Sequence, residues 1–257
     1  MRSGETAFSG TAAYYARYRP PYPADFLRHL RACARTTGRG ALLDLACGPG
    51  RVAIPLAPHF VSVLAVDVEA EMIDVGQQKA TIRGAANIEW RVARAEDLQL
   101  PSGSRELITI GEAFHRLDQP RILQRSVDWL RPGGSLATLA GESVWRGREP
   151  WKRTLVDVVN RWTAGALGDP NAGEWGGPLH ALRAAGLTVQ EYQSTTDQTW
   201  TCDSIIGFMF STSVASRPAL GVAADGFEAE LRAALLRVEP TGRFASKQKF
   251  GFTLGTK

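Results

Sequence analysis

The chain has 257 residues, of which 44% are hydrophobic and 22% are charged, and its formal net charge is +4. This composition excludes a disordered chain, a collagen-like fibre and a small disulfide-stabilised protein, and so small a charge does not indicate nucleic-acid binding. The three cysteines lie far apart with no CxxC pair, so they predict neither a disulfide framework nor a metal site. We expect a soluble, cytoplasmic protein without a signal peptide or a membrane-spanning segment.

The first 39 residues are polar and aromatic and contain a cluster of prolines between positions 20 and 23. Short helices are predicted over Thr11–Arg17 and Ala24–Arg35, because the prolines between them interrupt a continuous helix. We expect residues 1–39 to form an N-terminal helical lid.

From residue 40 onward, short apolar runs alternate with helical segments. Apolar strands that alternate with helices are typical of a parallel sheet covered on both faces. Residues 40–257 are therefore predicted to form an α/β domain with a Rossmann-like, doubly wound, mostly parallel seven-stranded sheet and helices on both faces. The predicted strands are Ala41–Ala46, Val61–Asp67, Ile88–Val92, Glu106–Ile110, Ser135–Ala140, Leu187–Trp200 and Phe250–Leu254.

Residues 142–183 interrupt this alternation and contain four of the seven tryptophans. Five glycines follow between Gly165 and Gly177. We expect a helical cap insert after the fifth strand, with a flexible loop, over one end of the sheet. Aromatic side chains there suit a flat or apolar ligand, although packing within the insert explains each tryptophan almost as well.

The segment from Asp44 to Arg51 is the most informative one. A strand ends, small residues turn sharply around Gly48 and Gly50, and a helix begins, so the backbone N–H groups at the helix N-terminus can face a ligand. Asp67 ends the second strand, 23 residues after Asp44, where an acid can accept both hydroxyls of a ribose. The pattern predicts an adenosine-containing ligand; the alternative is that Asp67 only caps the next helix.

Two kinds of adenosine-containing ligand fit this turn: a dinucleotide such as NAD, and an adenosine derivative with a positively charged end. Gly48-x-Gly50-x-x-Ala53 matches a dinucleotide pattern, but the turn lies about 45 residues into the chain and no Tyr-x-x-x-Lys pair exists. Asp44 also lies near the position of a pyrophosphate, and a carboxylate there favours a cationic ligand. NAD is therefore disfavoured.

Five segments resemble, in order and spacing, the motifs of class I S-adenosylmethionine-dependent methyltransferases. The N-terminal segment from Phe8 to Pro23 is similar to that of a bacterial subgroup that acts on small molecules. The five segments are Leu43–Gly50, Val66–Asp67, Ala95–Leu98, Ala113–His115 and Leu130–Gly134.

The resemblance implies S-adenosylmethionine as the cofactor and assigns the residues around its methionine end. The backbone at Ala46, Gly48 and Gly50 would hold the methionine moiety. Asp44 would lie close to its amino group, and Arg19 would reach its carboxylate.

The resemblance also assigns contacts to the rest of the cofactor. Asp67 would bind the ribose and Met72 would pack on the adenine. The amide of Ala95, together with Glu96, would meet the adenine edge. Gly111 would let the sulfonium approach the fourth strand.

Methyl transfer to oxygen or carbon requires an aligned acceptor and a base that removes its proton. His115, in the loop after the fourth strand, is the candidate base, and Arg116 is a candidate to stabilise an oxyanion. The alternative is that His115 only packs beneath the cofactor. Substrate contacts are predicted for Tyr14, Tyr15, Glu142 and Trp145.

The acceptor class follows from what the sequence lacks. No Asn-Pro-Pro-Tyr or Asp-Pro-Pro-Tyr tetrapeptide and no basic arm is found, so a nucleic-acid acceptor is not expected. We expect a small organic molecule methylated on oxygen or an activated carbon, with antibiotic biosynthesis as one setting, by a monomer or homodimer that binds no membrane. The alternative is a cofactor-binding protein of this fold that catalyses a non-methylating reaction such as cyclisation.

Overall fold

A computed structural model describes residues 7–167 and 178–257. Its centre is one seven-stranded sheet with the strand order β3-β2-β1-β4-β5-β7-β6. Strands β3, β2, β1, β4 and β5 pair with their neighbours in parallel. Strand β7 pairs with β5 in the antiparallel direction. The predicted fold class is confirmed. The strands are β1 Ala41–Leu45, β2 Ser62–Asp67, β3 Ile88–Val92, β4 Arg105–Gly111, β5 Leu130–Gly141, β6 Thr188–Thr201 and β7 Arg243–Thr256.

Helices connect most of these strands. None of the described helices is long and apolar enough to cross a membrane. The helices are α1 Ala12–Tyr18, α2 Ala24–Cys33, α3 Ala53–Leu56, α4 Ala70–Arg83, α5 Gln119–Trp129, α6 Pro150–Trp162, α7 Leu179–Ala184, α8 Cys202–Phe210, α9 Arg217–Leu220 and α10 Ala224–Val238.

The order of the strands places a crevice beside β1. β1 pairs with β2 on one side and with β4 on the other, so the connections leave the carboxyl ends of these strands in opposite directions. Ligands of open α/β sheets bind at this kind of switch point. The Gly-rich turn follows β1 directly and therefore lies at the switch point.

The alternation of side chains along β1 divides the core between two faces. Leu42 packs in a cluster with Phe26 and Leu30 of α2, whereas Leu43 packs with residues of α5 such as Trp129. Both leucines are fully buried. β1 is thus covered on both sides, as the continuous apolar run predicted.

The described residues divide into two compact units, which differ from the predicted domains. The sheet unit contains residues 21–141, 178–194 and 250–257, and the helical unit contains residues 7–20, 142–167 and 195–249. The boundary between the units thus falls at residue 20, whereas the predicted lid extends to residue 39 and stays a prediction. Helix α2 belongs to the sheet unit because Phe26 is buried in its core, with the ring of Phe252 at 5.5 Å.

The helical unit extends beyond the predicted cap insert of residues 142–183, which stays a prediction. Helix α6 packs with residues of α8 and α10, including Phe227 and Leu231, in one buried cluster. Residues 195–249 consequently join the helical unit. Trp175 and most of the Gly165–Gly177 stretch lie outside the described residues.

Strand β5 begins earlier than predicted. The turn expected over residues 131–134 lies inside the strand, where Leu130 pairs with Arg105 and the ladder resumes at Leu107 and Ser135 after an irregularity. The glycines absorb this bulge, since Gly133 has a φ of +74°.

Candidate active site

The turn after β1 is built from backbone conformations that favour small residues. Ala46, Gly48 and Gly50 have φ values of +51°, +53° and +76°, in the left-handed region. The amide of Cys47 donates to the carbonyl of Val66 at 3.0 Å, which ties the turn to the end of β2. The N–H of Gly50 donates within the turn, to the carbonyl of Cys47 at 3.1 Å, and the contact of this backbone with a ligand stays a prediction.

Asp67 connects the turn to the segment after β2. Its carboxylate accepts hydrogen bonds from the N–H of Gly48 at 2.8 Å and from the N–H of Glu69 at 2.9 Å. Burial raises the pKa of Asp67, while the two N–H groups oppose that rise. Asp67 therefore meets the start of α4 as well as the turn, so both readings of this residue have a structural basis.

Asp44 lies beneath the turn and is only 1% exposed. One carboxylate oxygen accepts from the hydroxyl of Thr109 at 2.7 Å, and the other accepts from the N–H of Ala53 at 3.0 Å. Burial raises its pKa to about 7, against the lowering effect of these two donors. Asp44 thus fixes the turn and the start of α3 from below; its contact with a ligand amino group stays a prediction.

The residues predicted to surround the adenine lie on the segments that follow β2 and β3. Met72 on α4, Ala95 and Glu96 are 3%, 5% and 6% exposed. A Glu96 side-chain oxygen accepts from the N–H of Asp118 at 3.0 Å. Glu96 therefore joins the loop after β3 to the loop after β4.

The rim after β4 carries the candidate base. Phe114, His115 and Arg116 form one turn of 3₁₀ helix, in which Phe114 is buried and the two basic side chains are exposed. Partial burial and the charge of Arg116 lower the pKa of His115, against the effect of Glu112. The imidazole is thereby kept neutral at pH 7 and can accept a proton.

Five predicted residues lie in the helical unit, apart from the sheet unit that holds the turn. The Arg19 guanidinium lies 4.2 Å from the Phe208 ring centre and 4.8 Å from that of Tyr15, and its Nε donates to the Ser211 hydroxyl at 2.8 Å. The cofactor contact of Arg19 stays a prediction.

The other four residues of this unit have these surroundings. Tyr15 packs under Arg19 as described, and the Tyr14 hydroxyl accepts from Arg217 Nε at 3.0 Å. The carboxylate of Glu142 lies 3.9 Å from the ammonium of Lys249. Trp145 packs edge-on against Phe208, with ring centres 6.0 Å apart. Their substrate contacts stay predictions.

Within the described ranges, no group of three or more His, Cys, Asp or Glu side chains could hold a metal ion. The site therefore consists of the turn at residues 46–50 and the carboxylates of Asp44 and Asp67, which hydrogen-bond to backbone N–H groups of the turn and of the start of α3.

Comparison with known proteins assigns this arrangement to a family. Residues 42–134 match the model of a methyltransferase domain. An uncharacterized methyltransferase of Mycobacterium tuberculosis is 28% identical over 163 residues, which is 62% of this chain and 61% of that protein. A ubiquinone/menaquinone biosynthesis C-methyltransferase of Rubrivivax gelatinosus is 34% identical over 147 residues, 56% of this chain and 57% of the relative.

Solved structures share the fold over most of the chain. A protein of Anaeromyxobacter dehalogenans assigned as a type II methyltransferase has a TM-score of 0.62 at 24% identity, covering 93% of this chain and 97% of its own. A [4+2]-cyclase has a TM-score of 0.50 at 18% identity, covering 93% of this chain and 83% of its own.

Residues 42–134 thus form a methyltransferase domain, which supports the predicted class I S-adenosylmethionine-dependent methyltransferase. The match spans about three fifths of the first curated relatives, 61% of their length. S-adenosylmethionine is the cofactor of such methyltransferases, and the domain fits it in two respects. The turn has left-handed backbone at Gly48 and Gly50, so it carries no side chain at these two positions. A buried carboxylate, that of Asp67, ends β2, where the resemblance predicts the ribose.

The chain also has polar residues at this edge that sequence reasoning missed. Arg51 donates to the Glu112 carboxylate at 3.1 Å, and the hydroxyl of Tyr22 lies 3.5 Å from the same oxygen. Thr109 is the hydrogen-bond partner of Asp44. A signal for the ion pair existed: Arg51 directly follows the turn and Glu112 directly follows β4, so both lie at the carboxyl edge of neighbouring strands.

Proposed function

We propose that this protein transfers the methyl group of S-adenosylmethionine to an oxygen or an activated carbon of a small organic molecule. The observation that carries the proposal is the hydrogen bond from the Gly48 amide to Asp67. It holds the cofactor turn and the ribose-binding carboxylate as one rigid unit, at the crevice beside β1.

The cofactor supplies an electrophilic methyl group on a positively charged sulfur. The protein's task is to hold that group in line with the acceptor, about 3 Å away, and to exclude water. Gly111 ends β4 without a side chain; a Cβ there would be in ordinary contact with the Tyr22 hydroxyl and with Val52, each at 3.4 Å. The sulfonium would approach β4 at this glycine.

The acceptor must lose a proton as the bond from its oxygen or carbon to the methyl group forms. His115 lies four residues after Gly111 and its pKa is lowered, so the neutral imidazole is available to take that proton. When bound, S-adenosylmethionine would supply the methyl group and keep the electron pair of the broken sulfur–methyl bond, leaving S-adenosylhomocysteine. Arg116 would stabilise negative charge on the acceptor.

The relative from Rubrivivax gelatinosus is named as a C-methyltransferase, which supports carbon as an acceptor atom. The acceptors to test are therefore enolisable dicarbonyl compounds and phenols, with a short DNA duplex as a nucleic-acid control. We expect S-adenosylhomocysteine to form with at least one small acceptor and not with the duplex.

The experiment has two stages so that binding and catalysis are separated. Calorimetry first measures binding of S-adenosylmethionine and S-adenosylhomocysteine to the whole chain. Mass spectrometry then follows the acceptor, which gains one methyl group if the proposal is correct. Binding without methylation, together with rearrangement of a polyene acceptor at unchanged mass, would instead favour the cyclising alternative, a reaction named for one structural neighbour.

A further inference from the structure

An ion pair bridges the two loops that flank the methyl-donor position. Arg51 directly follows Gly50 of the turn after β1, and Glu112 directly follows Gly111 at the end of β4. Their side chains are only 10% and 18% exposed, with 3.1 Å between the guanidinium nitrogen and the carboxylate oxygen. The guanidinium also lies 4.8 Å from the ring centre of Tyr22. This pair is therefore shielded from solvent, where charges interact more strongly.

The backbone is adapted to place this carboxylate. Glu112 has a φ of +56°, a left-handed conformation that costs a side-chain-bearing residue free energy. Its amide donates to the carbonyl of Leu139 at 2.8 Å, which anchors the residue to β5. Gly141 leaves space for the carboxylate, because a Cβ there would come within 2.9 Å of it.

The position of the Arg51–Glu112 pair affects the binding of a positively charged sulfur. Gly50 and Gly111 are the residues between which the methionine and sulfonium of the cofactor are proposed to lie. A guanidinium next to this position would repel a sulfonium. Burial, followed by the charges of Arg51 and Arg83, lowers the pKa of Lys79 on α4, so Arg51 acts on a second cation as well. The carboxylate of Glu112 offsets that repulsion.

We infer that Glu112 is a specificity-determining residue that lets the site accept the positively charged methyl donor beside Arg51. S-adenosylhomocysteine is neutral at sulfur, so the pair controls the preference for donor over product. The inference rests on the proposed function, because it needs the cofactor in this crevice. It concerns charge alone and does not require a particular acceptor.

The test is the ratio of two dissociation constants, S-adenosylmethionine over S-adenosylhomocysteine, measured by calorimetry without any acceptor. Glu112→Gln removes the carboxylate charge beside Arg51, so the ratio should rise about threefold to tenfold. Arg51→Gln removes the guanidinium charge beside Glu112, so the ratio should fall by a similar factor. The double variant should return to the ratio of the wild type.

Glu106→Gln is the matched control. It removes a buried carboxylate from the opposite end of the same strand, where Glu106 pairs with Arg131 at 2.6 Å, and it should leave the ratio unchanged. If Glu112→Gln does not fold, Arg51→Gln tests the same claim with the opposite sign.

The outcomes separate the two proposals. A wild-type chain that binds neither nucleoside would contradict the proposed function. A wild-type chain that binds both, with equal ratios in the wild type and every folded variant, would overturn the inference and leave the proposed function standing. Equal loss of affinity for both nucleosides would assign the pair a purely structural role and also overturn it.

Discussion

The N–H of Gly48 donates a hydrogen bond to the carboxylate of Asp67 at 2.8 Å, so the turn after β1 and the acid after β2 are joined directly. The carboxylate is 9% exposed and receives a second N–H from Glu69 at 2.9 Å. The proposed ribose acceptor is thus held in one orientation before a ligand arrives, which reduces the entropy cost of binding.

Asp67→Asn should weaken binding of S-adenosylhomocysteine by about tenfold to a hundredfold, because hydrogen bonds to a charged group contribute about 1.5–3 kcal/mol. The asparagine amide keeps the shape of the carboxylate, but only one of its two terminal atoms can accept hydrogen bonds. It therefore cannot serve the N–H groups of Gly48 and Glu69 and the ribose hydroxyls together. The measurement is the increase in Tm caused by the ligand. Asp74→Asn, at an exposed position of α4, is the control and should keep the full increase; equal increases in both variants would contradict the role of Asp67.

Gly50→Ala should destabilise the fold more than Gly84→Ala. Both glycines have left-handed backbone, with φ values of +76° and +67°, so each substitution carries about 1–2 kcal/mol of strain. A Cβ at Gly50 also comes within 2.6 Å of Trp90, whereas nothing lies within 4 Å at Gly84. Urea unfolding measures both costs. Equal losses would show that the space behind the turn is not restricted.

Thr109→Val should lower the free energy of unfolding by about 1–3 kcal/mol, because it removes a donor from a buried carboxylate. Thr109 is fully buried, and its hydroxyl donates to Asp44 at 2.7 Å. Thr138→Val is the same substitution at a buried position of β5, outside the Asp44 hydrogen bonds. If both variants lose the same stability, the hydroxyl of Thr109 has no special role.

The buried Asp44 should make the protein less stable as the pH rises. Its pKa is about 7 in the folded state against an ordinary value of 3.8, so the folded chain retains a proton that the unfolded chain releases between these values. Its contribution to the free energy of unfolding therefore falls as the pH rises from about 4 to 7 and is constant above. Asp44→Asn removes this contribution. The free energy of unfolding of the variant, measured with urea, should therefore rise relative to that of the wild type as the pH increases from about 4 to 7. A constant difference would show that Asp44 does not titrate in this range.

His115→Gln should lower kcat by about a hundredfold to ten-thousandfold, the usual contribution of a general base, while the affinity for S-adenosylhomocysteine stays within about twofold. In the wild type, kcat should fall as the pH drops through the pKa of His115, which lies below 6.5, because a protonated imidazole cannot accept a proton. His59→Gln is the control on the same unit. Lost affinity with intact turnover would instead show that His115 only supports the cofactor.

The sequence was sufficient to predict the central sheet. Strands β1, β2 and β4 are mostly buried, largely apolar runs of five to seven residues bounded by turns. Strand β3 has five residues that are half-buried or exposed, and the sequence still places all four strands within one residue. The carboxyl-edge position of Gly48, Gly50 and Asp67 followed from the same pattern.

Features that depend on contacts between distant segments could not be predicted. Helix α8 is buried along almost its whole length, so its sequence lacks the periodicity of an amphipathic helix and was not recognised. Helix α2 joined the sheet unit through contacts with β7. The pair Arg51–Glu112 spans 61 residues, and only the closed sheet brings the two together.

A crystal structure of the whole chain with S-adenosylhomocysteine tests the central claim most directly. We expect both ribose hydroxyls within hydrogen-bonding distance of the Asp67 carboxylate and the methionine moiety against the backbone of residues 46–50. A nucleoside bound elsewhere, with Asp67 contacting only Gly48 and Glu69 as before, would contradict the account.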